Sequence, residues 1–358
     1  MPTMKIRGGD LDLVEYEFTS FEPGERIKTL GISRPVTREP LPGIIRVRAP
    51  ARIHLTVLDM NRFAPNRPGG GGIGFAIGVY CEAEVRAVPD GLTIDYTRQA
   101  IIRHFVSVFK EVTGYRGGFE ITARDHKYKH VGLGSTSTVL TAVATAMNRA
   151  VGSPLGRDEI RLLIGNNYIE ETEGGRIVSG FETGVGPAVS TYGGLAVMGD
   201  ALTLAYNHPF AEGAQVHIII PPTPESSAGD QEFNLLMNRA RTLDYRDREL
   251  KAYLALMDLI PAVETGDLNR AGDIIWEMDF RGSKRAEVEH HSFDIYTYMS
   301  AIRTAGFEFV GMSSVGPSIA VITTRPKEDL EPVLSKMGIT RMITTHVDNT
   351  GLVVTGDQ

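Results

Sequence analysis

The sequence predicts an α+β protein of two domains, and three observations carry that prediction. The chain has 358 residues, enough for more than one hydrophobic core. Stretches alternating at period two stand beside stretches with apolar residues three and four apart, so strands and helices are both present. Their order lacks the regular βαβ alternation of a doubly wound sheet. With 42% hydrophobic and 23% charged residues, neither a disordered nor a fibrous class is indicated.

Residues 1–43 read as an N-terminal extension, polar and rich in Pro and Gly, with one weakly alternating strand over 11–18. Residues 44–206 form the first domain. There, 44–58 alternates around Pro50 as a strand pair or a bent strand. A glycine run at 69–74 leads into strands at 73–79, 80–88 and 92–96. Ile101, Phe105, Val108 and Phe109 share one helical face, and 118–122 is a further strand. After the polar loop 124–130, a glycine turn feeds a helix with Val139, Val143, Ala146 and Ala150 on its buried stripe. Ile160, Leu163, Ile164 and Tyr168 predict another helix over 158–171.

Residues 207–358 form the second domain. It begins with a short strand at 216–220 and an amphipathic helix at 250–263. A turn at Gly266 precedes a helix bearing Trp276. Strands at 307–310 and 319–323 flank a second glycine loop, 311–317. A helix at 329–337 and a hairpin of 339–345 with 352–355, turning at Asn349-Thr350-Gly351, close the chain.

The net charge of −7 argues against a general nucleic-acid partner, which needs a basic footprint. The single cysteine, Cys81, rules out an intrachain disulfide and lies in an apolar alternating run, where it reads as core. The first ten residues lack the apolar stretch of a signal peptide, and no aliphatic run approaches a membrane span. The expectation is a cytoplasmic enzyme with no membrane partner.

The most informative stretch is His130-Val-Gly-Leu-Gly-Ser-Thr-Ser-Thr138. A glycine turn here opens a helix whose first residues are hydroxylic, which presents unpaired backbone N–H groups to a phosphate. The spacing fits neither GxxxxGK[ST] nor GxGxxG. On its own it equally describes a tight turn with a capping serine. Two more motifs accompany it: Pro50-Ala51-Arg52-Ile53-His54-Leu55 upstream and Gly311-Met312-Ser313-Ser314-Val315-Gly316-Pro317 near the end.

In this order and spacing, over roughly residues 44–356, the three motifs resemble the GHMP superfamily, named for galactokinase, homoserine kinase, mevalonate kinase and phosphomevalonate kinase. The resemblance implies a two-domain GHMP kinase-like α+β fold whose glycine-rich loop cradles phosphates. Within it, His130–Ser135, Ser314 with Gly316-Pro317, Ser227-Ala-Gly229, Asp59-Met-Asn61 and Ile73-Gly74-Phe75-Ala76 look like the β-ribofuranosylaminobenzene 5′-phosphate synthases. That family implies small-molecule substrates, phosphoribosyl pyrophosphate (PRPP) and an aromatic carboxylate. C1 of the ribose is joined to the ring with release of CO₂ and pyrophosphate. It also suggests a homodimer. Related C-nucleoside synthases of formycin and pyrazofurin pathways take a pyrazole carboxylate. The extension, and the departures at Thr136-Ser137-Thr138 and Gly311-Met312, lean this chain towards an amino-pyrazole dicarboxylate, with 4-amino- or 4-hydroxybenzoate next. Arg62 and Arg67 are candidate cations for a second carboxylate.

Kinases of the superfamily often carry an acidic base after a Ser-Gly-Ile turn. Here Thr183-Gly184-Val185-Gly186-Pro187 puts Gly186 or Pro187 at that position, although Glu182 is close enough to substitute. An ATP-dependent small-molecule kinase is the alternative reading, and a catalytically silent phosphate-ligand sensor a third. The expected catalytic residues are His130, Glu182 and Lys284. The expected substrate contacts are Arg52 and His54, sharing one strand face, with Gly132, Gly134, Ser135, Thr136, Ser137, Thr183 and Gly184. Arg285, Ser313, Ser314 and Gly316 complete them. Lys284 and Arg285 lie in 282–287, either a cation source or an exposed charged turn. Mg²⁺ is the expected cofactor, held by Ser137 and by Glu170 or Glu171 on the 158–171 helix. The basic loop 124–130 would concentrate anions locally, and His290-His291 read as surface histidines.

Overall fold

The computed structural model describes residues 4–7, 15–64, 67–126, 128, 131–222, 239–291 and 294–356. The extension contributes two strands rather than one, β1 (Met4–Arg7) and β2 (Glu15–Phe18), paired antiparallel. It then runs along the first domain. The Phe21 backbone bridges Ile177, and the N–H groups of Arg34 and Val36 donate to the carbonyls of Val112 and Thr113.

Strands β3 (Ile45–Val57) and β4 (Gly72–Val88) are the spine of the first sheet. Ile45, Val47, Ala49, Cys81, Ala83 and Val85 are buried, while Arg46, Arg48, Glu82 and Glu84 point to solvent. This is the period-two pattern of a sheet covered on one face. Strands β5 (Leu92–Asp95) and β6 (Gly118–Arg124) extend β4 at one end. Helices α1 (Gln99–Thr113), α2 (Ser135–Ala150) and α3 (Arg157–Asn166) contribute to the cluster beneath it, through Phe105, Phe109, Val139, Val143 and Leu163.

The helix expected over 158–171 ends at Asn166, and Glu170 and Glu171 lie instead on β7 (Ile169–Glu171), paired with β8 (Ile177–Ser179). Asn167 explains the break. Its amide nitrogen donates to Leu163 O and Lys28 O, and its amide oxygen accepts from Lys28 N, so the extension competes for the helix end. Helix α4 (Val185–Tyr192) lies where the sequence pattern predicts no helix. The first sheet is completed by β9 (Leu195–Met198) and β10 (Leu204–His208).

The second sheet has the order β12-β13-β11-β14, all antiparallel: β11 (Gln215–Ile219), β12 (Phe309–Met312), β13 (Ile319–Thr323) and β14 (Met342–Thr345). The closing hairpin does not form, because β15 (Val353–Gly356) crosses back to pair with β3 of the first sheet. Asp348 sets this crossing: its backbone bonds Ala76 and Gly194, and its carboxylate accepts the N–H groups of Thr350 and Gly351. Helix α5 (Arg241–Leu254) continues through a π-helical turn (Ala255–Leu259) into α6 (Ile260–Glu264). After it come α7 (Leu268–Asp279), α8 (Gly282–His290), α9 (Asp294–Thr304) and α10 (Lys327–Lys336). Residues 282–287 are therefore helical, not a charged turn. No described helix is long and apolar enough to cross a membrane.

One apolar cluster joins the two sheets, with Ile53, Leu55, Phe75, Ile218, Ile275 and Phe309 among its members. Phe75, Phe210 and Phe309 meet ring to ring, with centroids 5.5, 6.2 and 5.8 Å apart. Phe309→Ala is expected to cost about 3–5 kcal/mol. Urea unfolding followed by Trp276 fluorescence and by far-UV circular dichroism would then shift together; separate midpoints would mean that the sheets do not share this core.

Candidate active site

The three sequence motifs meet at one point. Arg52 and His54 project from β3 on the face opposite Ile53 and Leu55, as their alternation predicts. Arg52 Nη1 donates to Gly132 O at 2.6 Å, and Arg52 N to Leu133 O at 3.3 Å. The Ser313 hydroxyl joins the other two motifs: it accepts from His54 N at 3.1 Å and donates to Gly132 O at 2.8 Å. Ser314 N donates to His54 O at 2.7 Å. Ser314 and Gly316 both adopt positive φ, 52° and 83°, in the loop that makes these bonds. His54 Nε2 lies 3.2 Å from Thr183 Oγ1. Burial, with Arg52 and Lys284 nearby, holds this imidazole well below its usual pKa, so it is neutral.

Gly132 and Gly134 have φ of +87° and +71°, conformations that favour glycine. A Cβ on Gly134 would stand 2.6 Å from Arg52 Nε. The N-cap residue of α2 is Gly134, which has no side chain to cap the first turn, and among the described residues no side-chain cap is seen there, so its N–H groups are directed at an anion. Arg98 braces the same turn, with Nη1 donating to Thr136 Oγ1 at 2.6 Å and Nη2 to Ser135 Oγ at 2.9 Å. It also pairs with Asp125 Oδ2 at 3.1 Å. No motif marks Arg98, which lies just before α1 and 37 residues from Ser135. Arg98→Gln is expected to weaken inorganic pyrophosphate binding roughly 10- to 100-fold by calorimetry, as lost charge-assisted bonds would. An unchanged affinity would remove Arg98 from the anion site.

Glu182 is buried beside this cluster, its Oε1 accepting from Gly184 N at 2.7 Å. Burial raises its pKa to about 7, against the lowering effects of the Gly184 N–H and Arg52. Gly186 explains why no acid stands one turn later: a Cβ there would lie 2.3 Å from Ser137 Oγ. It would also lie 3.8 Å from Glu182 Oε2, so Glu182 brings a carboxyl to the position left without one. The missing acid therefore does not by itself choose the reaction. Glu170 accepts from the Tyr168 hydroxyl at 2.8 Å; burial raises its pKa while that bond and Arg98 lower it. Ser137 Oγ donates to Gly134 O at 3.2 Å.

The second-domain candidates divide. Lys284 is fully buried, donating to Ser314 O at 2.5 Å and Glu287 Oε2 at 3.0 Å. It supports the Ser313–Gly316 loop from below and does not present a free ammonium to substrate. Arg285 is exposed on the other side of α8 and pairs with Glu289, so it is not brought to the cluster. Helical geometry separates these neighbours by about 100°. His291 is buried against Val315 O at 2.6 Å, contrary to its reading as a surface residue. Arg62 is engaged by Asp200 at 3.1 Å and Asp59 at 3.8 Å, and Arg67 is exposed. His130 and Ser227–Gly229 lie outside the described residues.

Residues 100–194 match the family described as GHMP kinases N terminal domain. The β-ribofuranosylphenol 5′-phosphate synthase of Methanothermobacter thermautotrophicus is 26% identical over 333 residues, covering 85% of this chain and 97% of that protein. The Archaeoglobus fulgidus protein of the same name is 27% identical over 300 residues, covering 78% and 88%. Among solved structures, homoserine kinase from Cytophaga hutchinsonii superposes with a TM-score of 0.65 at 16% identity, covering 89% of this chain and 99% of that one. Mevalonate diphosphate decarboxylase from Staphylococcus aureus gives 0.62 at 16%, covering 87% and 98%. The structural likenesses establish a GHMP kinase-like fold and no activity.

Proposed function

We propose that this chain, a GHMP-fold relative of the β-ribofuranosylphenol 5′-phosphate synthases, is a PRPP-dependent C-ribosyltransferase that decarboxylates its aromatic acceptor. The observation that carries the reading is the glycine-capped first turn of α2, braced by Arg98 and Arg52, in a chain with those relatives. Breaking the C1–O bond of PRPP places positive charge on the ribose and negative charge on the departing pyrophosphate. The N–H groups of Ser135, Thr136 and Ser137, with Arg98, would receive that negative charge, while His54 and Thr183 would shape the adjoining wall.

The ring carbon bearing the carboxylate forms the new bond to C1 as pyrophosphate leaves. The bond to the carboxylate then breaks, its electron pair returns to the ring, and CO₂ departs. No proton need leave the attacked carbon. As the ring becomes positive, a donor substituent such as a phenol becomes acidic; Glu182, titrating near pH 7, would accept its proton and return it to the phenolate oxygen as CO₂ leaves.

Mg²⁺ fits the donors on this side of the cluster, which are hard oxygens: Ser137 Oγ and the carboxylate of Glu170. Bound there, it would neutralise pyrophosphate charge.

For the acceptor, the two named relatives support a hydroxybenzoate-type ring. An amino-pyrazole dicarboxylate needs a further cation, and Arg62 is already paired with Asp200 and Asp59. Incubation with Mg²⁺, PRPP and each acid separately, read by phosphorus NMR and mass spectrometry, tests the proposal. Pyrophosphate appearing with a ribosylated, decarboxylated ring is the expected result. ADP formed from ATP and a hydroxylated substrate, with PRPP untouched, would make the chain a kinase.

A further inference from the structure

Cys81, Asp125 and His126 come together where β4 passes the end of β6, adjoining the cluster described above through the Arg98–Asp125 pair. Cys81 and His126 are buried, at 0% and 6% exposure. Their ligand atoms and a carboxylate oxygen of Asp125 all lie within 4.8 Å of one another. Cys81 Sγ is 3.4 Å from Asp125 Oδ1, and His126 Nδ1 is 3.8 Å from the same oxygen. Ligand atoms around a tetrahedral zinc ion, at the usual Zn–S, Zn–N and Zn–O lengths, stand about 3.3–3.5 Å apart. The two contacts to Asp125 are within a few tenths of an ångström of that spacing, and the sulfur and imidazole, no more than 4.8 Å apart, would close by at most about 1.3 Å.

The imidazole of His126 supplies the independent observation. Among the described residues, neither of its ring nitrogens has a hydrogen-bond partner, although the side chain is almost wholly buried. A buried histidine without partners costs stability unless something binds it. Asp125 is also divided in the way a ligand requires. Its Oδ2 accepts from Arg98 at 3.1 Å and from the Tyr96 hydroxyl at 3.2 Å, which leaves Oδ1 turned towards sulfur and imidazole.

We propose that Cys81, Asp125 and His126 form a binding site for a divalent transition-metal ion, with Zn²⁺ the ion that best suits one sulfur, one nitrogen and one oxygen donor. The thiolate and carboxylate together balance the dication, and Arg98 on Oδ2 acts as an outer partner that orients the carboxylate. Burial and Asp125 keep the free thiol protonated. Metal binding displaces that proton to solvent and leaves the thiolate on the ion. Three protein donors leave a fourth position for a water molecule. The site shares Arg98 with the anion site, but metal binding there does not require the reaction proposed above.

Cobalt(II) is the probe, added to the full chain after chelator treatment and dialysis. The expected result is one equivalent bound, with a near-ultraviolet thiolate-to-cobalt charge-transfer band that Zn²⁺ abolishes by competition. Cys81→Ser should lose the band, and His126→Gln should bind cobalt at least ~10-fold more weakly. His126→Gln retains the cysteine and carries the test if Cys81→Ser fails to fold, with circular dichroism as the check on structure. No charge-transfer band in the parent, or equal affinity in a folded His126→Gln, would overturn the proposal.

Discussion

Glu182→Gln is expected to lose most of its turnover and yet unfold less readily than the parent above neutral pH. The Glu182 carboxyl titrates at about 7 in the fold against 4.5 for the ordinary group, chiefly because it is buried. Between those values the native state binds the proton that the unfolded state has released. The parent therefore loses stability as pH rises through that window, and above about pH 7 it carries the whole cost of an ionised buried carboxylate. That cost is roughly 3 kcal/mol by linkage. Glutamine cannot ionise and still accepts from Gly184 N, so its stability should be flatter with pH. Denaturation at pH 5.5 and 8.5 measures the difference; equal pH slopes for both proteins would show that Glu182 is not perturbed. In kinetics, kcat/KM of the parent should rise through pH 7, whereas the variant should be flat and lower by about 100-fold or more, as removal of a general base requires.

Gly132→Ala carries the other large effect. Gly132 sits at φ +87°, and a Cβ on it would stand 2.6 Å from Ser313 O, a backbone atom that cannot simply swing away. The backbone conformation alone costs roughly 1–2 kcal/mol. The larger consequence is that the Ser313 loop must retreat, breaking its bonds to His54 and Gly132 together. A loss of about 1000-fold in kcat/KM is expected, since catalysis by preorganised donors fails when they move by about an ångström. Gly174 is the control, because it has a similar φ of +77° and no atom within 4 Å of its would-be Cβ. Gly174→Ala should bear a backbone cost with activity unchanged. Equal loss in both variants would mean that strain, and not the junction of the motifs, explains the result.

The convergence of β3, the glycine turn and the 311–317 loop was legible because each motif is local and the binding groups are largely backbone. Residues that act across the fold were not. Arg98 reaches the α2 turn only because α1 begins beside it, a relation that no spacing encodes. Lys284 and Arg285 are indistinguishable as a charged pair until the helix turns one into the core and the other outward. The apolar spacing continues past Asn166 and so predicts a helix through Glu170; the extension's grip on Asn167 ends the helix first. The closing hairpin failed for a similar reason, since Asp348 anchors the turn to a sheet hundreds of residues away in sequence.

The central claim is that a carbon–carbon bond forms between ribose and ring at the carbon that loses its carboxylate. It is tested most directly with PRPP labelled with carbon-13 at C1 and an acceptor labelled at the ring carbon bearing the carboxylate. The account predicts a product whose two labels show one-bond coupling, formed in equal amount with pyrophosphate and CO₂. Labels that stay uncoupled while pyrophosphate is released, or a product that retains its carboxylate, would contradict it.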